Sequence, residues 1–156
     1  MRYSMPPQRL FALLALLALV AMLPVRASSQ IQNRPDDILV VANKGVPTTK
    51  LSVDDVRAMF LKRKVTWDGD LPVVPVHPNA ASPLRAEFLK RVIQLSAADE
   101  TRYWEDQKIK HGIIGPKVFP NPLKAVYMIK GSLSYIQRKD YKDGVVKIVL
   151  VLPAAE

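Results

Sequence analysis

The chain has 156 residues, no cysteine and a formal net charge of +9. The missing cysteines exclude a disulfide framework, a thiolate metal site and a lipid anchor attached through cysteine. The length fits one domain with a real core.

Residues 1–27 read as a cleavable secretory signal. Arg2 and Arg9 precede an uncharged apolar run of 14 residues, 10–23, followed by Pro24 and a small-residue exit at Val25 and Ala27. The run is shorter than the roughly 20 residues that cross a bilayer. Cleavage after Ala27 and release into a periplasm, without a membrane anchor, is the expectation. Removing 27 residues from 156 leaves 129, and the net charge falls from +9 to +6. A basic surface suits small anions, anionic polymers or acidic proteins. Export argues against nucleic acid as a partner.

Residues 28–37 are polar and read as a flexible leader, and residues 38–152 as the folded domain. Residues 38–42 (ILVVA) are a continuous apolar run, the pattern of a strand covered on both faces. Ser52 caps an amphipathic helix over 52–61, with Asp54 and Asp55 in its first turn and Val53, Val56 and Phe60 on one face. Residues 73–76 form a second strand, and Pro75 places it at an edge or crossover. Ser82-Pro83 starts a helix, the hydroxyl capping and proline at the first position. Leu84, Phe88, Leu89, Val92 and Ile93 form its apolar stripe. Ser96 caps the next helix, which Gly112 stops. Residues 113–120 read as a loop. Asn121-Pro122 opens a shorter helix ending at Gly131. Residues 132–136 and 145–152 are final strands, and the short basic turn between them predicts an antiparallel hairpin. The order β-α-β-α-α-α-β-β indicates an α/β domain, a mixed sheet flanked by helices.

No catalytic constellation emerges. The two histidines, His77 and His111, lack metal-ligand spacing, and neither a nucleophile elbow nor a glycine-rich phosphate loop is present. The expectation is a protein that is not an enzyme and carries no cofactor or metal. The carboxylate pairs, Asp99-Glu100 among them, read as helix-start or surface charges. Trp67 and Trp104 read as packing residues that could also stack on a ligand, and the Lys62-Arg63-Lys64 run as a solvated loop. The segment from His77 to Arg85 leaves a strand, loops and enters a helix N-terminus. Such a junction offers backbone N–H groups, the Ser82 hydroxyl and the Arg85 guanidinium to an oxyanion. Pro83 removes one donor. Candidate ligand contacts are Ser82, Arg85, His77 and Asn43, the last from the loop after the first strand. The alternative is that Ser82 only caps its helix and Arg85 is a surface residue.

Residues 51–77, with their Leu51-Ser52 helix start, Met59-Phe60, Trp67 and the strand Val73-Val74-Pro75-Val76, resemble the phosphate ABC-transporter periplasmic substrate-binding proteins. Arg85, Phe88, Trp104 and the run from Gly131 to Ile136 follow in the order that family shows. The family's Ser-Gly-Thr turn is reduced here to Ser82-Pro83-Leu84, and Ser134 stands for a glycine. The resemblance covers roughly residues 38–136. It implies a type 2 periplasmic-binding-protein fold, truncated relative to two-lobed members. It also implies recognition of phosphate or a similar oxyanion in association with ABC-type transport. The second reading is a ligand-free envelope protein that partners a membrane sensor, porin or transporter.

Overall fold

The computed structural model describes residues 33–155. The signal, its cleavage point and residues 28–32 lie outside the described residues. Five strands form one mixed sheet in the order β3-β2-β4-β1-β5. Strand β1 (Ile38–Ala42) is wholly buried, as its apolar run predicts. Ile38, Val40 and Ala42 face a core with Phe60, Phe88 and Tyr135. Leu39 and Val41 face a second core with Val126 and Ile136.

Strands β4 (Ser132–Gln137) and β5 (Lys147–Leu152) do not form the expected hairpin. Both pair antiparallel with β1, which lies between them. A strand apolar on both faces needs neighbours on both sides to keep its backbone and side chains from water. The interior slot goes to β1; β4 ends beside Ile38 and β5 starts beside Ala42, so residues 138–146 cross the length of β1, with Tyr141 and Val145 packed over the face that holds Leu39 and Val41. Strand β2 (Val74–His77) is also interior, parallel to β4 and to the two-residue β3 (Lys117–Val118). Sequence periodicity cannot register two residues in a loop rich in glycine and proline, so β3 is an addition to the expected order. It covers only Val76 and His77, so Pro75 meets no partner on that side.

Helix α1 (Val53–Phe60) begins with a capping box. Ser52 Oγ accepts from the Asp55 N–H at 3.0 Å, and Asp55 accepts from the Ser52 N–H at 3.1 Å. Helix α2 (Pro83–Phe88) runs into a π turn, Leu89–Ile93, and stops at Gln94, whose φ is 63°. Ser82 occupies the cap position, but its hydroxyl makes no capping bond, contrary to expectation. The Arg85 N–H it would satisfy instead donates to the Ser82 carbonyl at 3.0 Å in a tight first turn. Helix α3 (Ala97–His111) is capped by Ser96 and stopped by Gly112 at φ 67°, as predicted. Helix α4 (Pro122–Met128) ends three residues before Gly131.

Asp37, grouped with the leader from sequence, is fully buried. It accepts from Arg138 Nε at 3.1 Å, the Arg34 N–H at 3.1 Å and the Ala154 N–H at 2.9 Å. A buried carboxylate persists only with such partners, so the chain is anchored from Asp37 onward.

Candidate functional site

Because β2, β3 and β4 are parallel, their carboxyl ends lie at one end of the sheet. In open α/β sheets that end is where ligands bind. His77, the last residue of β2, points into the larger core between Phe60 and Tyr135, with ring centroids at 5.0 and 5.8 Å. The chain then loops through Pro78 to Ser82 and enters α2, which carries Arg85. Glu100, from the first turn of α3, completes the arrangement. Its Oε1 lies 3.1 Å from His77 Nε2 and its Oε2 lies 2.9 Å from Arg85 Nη2. His77 Nδ1 lies 2.8 Å from the Tyr135 hydroxyl. Four side chains from β2, α2, α3 and β4 thus share one buried polar chain.

The chemistry fixes the protons. Burial pushes the His77 imidazolium below its ordinary value; Glu100 works against that shift and Arg85 adds to it. Burial opposes charge on Glu100, but hydrogen bonds from His77 and Arg85 overcome it and hold the carboxyl below its ordinary value. Glu100 is therefore ionised and His77 neutral near pH 7. An ionised carboxylate only accepts, so His77 Nε2 carries the proton. Nδ1 is then the acceptor for the Tyr135 O–H. Burial also pushes the Tyr135 phenol well above its ordinary value, keeping it a donor.

The structure joins Arg85 and His77 through Glu100, leaves Ser82 at the start of α2 outside these contacts, and separates Asn43 from them. Asn43 lies beside Ser132, at the opposite end of β4. Its Nδ2 donates to the Val126 and Tyr127 carbonyls at 2.9 and 3.0 Å, and its Oδ1 accepts from the Gly45 N–H at 2.9 Å. These bonds tie the end of α4 to the loop after β1. Trp67 is likewise structural: it is buried, and its Nε1 donates to the Gly131 carbonyl at 2.8 Å.

A cleft of about 350 Å³ opens beside Arg85 and Glu100, with Thr101, Trp104 and Lys108 along its wall. Gly115 lies flat on Trp104: a Cβ there would sit 2.9 Å from the indole Cγ and Cδ2. The Trp104 Nε1–H is buried without an acceptor among the described residues, a costly state for a polar group. Sequence reasoning missed Glu100 and Tyr135. Glu100 reads as a helix-start charge, yet it stands three and four residues before Tyr103 and Trp104. That spacing puts it on the side of α3 that turns inward. Among the described residues, no group of three or more His, Asp or Glu could hold a metal ion.

The architecture is that of phosphate-receptor structures, in part. The chain matches an ABC-type phosphate transport receptor from Vibrio cholerae with a TM-score of 0.56 and 17% identity. It matches a putative phosphate ABC transporter substrate-binding protein with bound phosphate from Clostridium perfringens with a TM-score of 0.55 and 18% identity. PstS from Borrelia burgdorferi matches with a TM-score of 0.50 and 11% identity. The matches cover 73%, 73% and 65% of this chain but only 45%, 44% and 40% of those chains. At these identities the likeness is one of fold. No protein-family model matches the sequence, and no curated protein matches it.

Proposed function

We propose that the chain is a periplasmic solute-binding-like protein that recognises a small oxyanion of the phosphate class, in association with ABC-type transport. One observation carries the reading. In a fold shared with phosphate receptors, the Arg85 guanidinium sits where the parallel strands end, at the edge of an open cleft. Arg85 is the charged contact and Ser82 the neutral one. His77 acts behind them, holding Glu100. Asn43, at the far end of the sheet, is not a contact. The export signal in residues 1–27 supplies the location.

Calorimetric titration with phosphate, sulfate and acetate tests the proposal. Heat with a tetrahedral oxyanion, weakened at least about tenfold by Arg85→Ala, is expected, since a charge-assisted contact is worth about 1.5–3 kcal/mol. Silence with all three anions, or heat that Arg85→Ala leaves intact, rejects it.

A specific observation favours the second reading, a ligand-free envelope protein that partners a sensor, porin or transporter. Glu100 already neutralises Arg85 at 2.9 Å within the chain. Under that reading all three anions are silent, and the chain co-purifies with one defined membrane partner.

A further inference from the structure

The surface formed by β3, the segment after it and α4 carries a feature that oxyanion binding does not use. Residues 112–131 contain three lysines, Lys117, Lys124 and Lys130, and no Asp or Glu. The same stretch holds Val118, Tyr127 and Met128, which are 50%, 61% and 68% exposed. Between Phe119 and α4 runs a groove of about 430 Å³, with Pro120, Ala125, Met128 and Ile129 on its walls and Lys124 at its rim. Next to it β3 is an edge strand. The Phe119 N–H donates inward to the His77 carbonyl at 2.9 Å, so by the alternation of the ladder the Val118 amide faces outward. Among the described residues neither Lys117 nor Lys124 has a salt-bridge partner. Lys117 also lies close enough to Lys62 for the two ammonium charges to oppose each other.

We infer that this groove is a docking site for an acidic, extended segment of a partner protein, anchored by an apolar side chain. The unbalanced lysines select negative charge. The concave apolar wall selects a side chain that can enter it, which the flat surface of an anionic bilayer does not offer. The open edge of β3 supplies backbone groups to an extended chain. A second copy of this chain is a poor occupant, because the same basic surface would meet itself. The inference does not depend on Arg85 or on any anion.

The test uses two synthetic twelve-residue peptides with the same Leu and Phe positions, one filled with Glu and one with Lys. Each is titrated into the isotopically labelled chain and followed by amide chemical shifts. The Glu peptide is expected to bind and to move Val118, Phe119, Lys124 and Met128. Its affinity should fall roughly tenfold or more in high salt. Lys117→Glu with Lys124→Glu should abolish binding, Met128→Glu should weaken it, and Arg85→Ala should leave it unchanged. The Lys117, Lys124 and Met128 side chains are exposed, and unchanged circular dichroism checks that the variants fold. The inference is overturned by no binding at millimolar peptide, equal binding of the Lys peptide, or shifts confined elsewhere. It is also overturned if anionic vesicles or self-association, and not the peptide, perturb these residues.

Discussion

The Arg85 guanidinium and the Glu100 carboxylate meet at 2.9 Å, with the Glu100 side chain only 6% exposed. The pair is a neutral unit, so any anion that uses Arg85 competes with Glu100 for it. Glu100→Gln should therefore have opposite effects on stability and on affinity. Removing one partner of a buried pair costs about 3–5 kcal/mol, read as a lower urea midpoint. Phosphate affinity should rise in the same variant, because Arg85 is released. A variant that loses both stability and phosphate heat contradicts the competition.

The polar chain also sets an acid limit. His77, Glu100 and Asp37 all have folded-state values below their ordinary 6.5, 4.5 and 3.8. For Asp37, burial opposes the charge, but the hydrogen bonds from Ala154, Arg138 and Arg34 outweigh it. In each case the unfolded chain binds protons that the folded chain refuses, so stability rises with pH. It should be fully present above pH 6.5 and fall first through the His77 window, then below 4.5 and 3.8 as the carboxylates protonate. Urea midpoints from pH 8 to 3 measure this. His77→Gln should remove the upper part of the slope and leave the lower part.

Gly115 is where the wall of the cleft can be moved without touching a charge. A methyl group there meets the Trp104 ring at 2.9 Å. Gly115→Ala should cost about 1–3 kcal/mol, as overpacking does. It should shift the Trp104 indole N–H resonance and leave that of Trp67, bonded to the Gly131 carbonyl, in place. Equal movement of both signals would mean a global disturbance.

Asp37 closes the fold between residues far apart in sequence, Arg138 and Ala154. Asp37→Asn should destabilise by about 3 kcal/mol, since it leaves the Arg138 charge without its partner. Amide exchange should quicken first at Ala154 and in the turn at 138–140. Uniform exchange across the domain would argue against a local clasp.

What the sequence by itself determined is the local grammar. Ser52, Ser96, Gly112 and Asn121 mark helix ends because capping is settled within four residues of chain. The unbroken run at 38–42 reports burial on two faces because no polar side chain interrupts it. The likeness to phosphate receptors was legible for the same reason: it rests on residues in order along the chain. Only the tertiary structure decided what depends on who becomes a neighbour. It put β1 between β4 and β5 because both of its faces and both of its edges needed cover. It used the Ser82 carbonyl where the hydroxyl was expected. It sent Asn43 to the far end of the sheet. It turned Glu100 from a helix-start charge into the carboxylate joining Arg85 and His77, because helix phase, not residue type, decides which side of α3 meets the carboxyl end of β2.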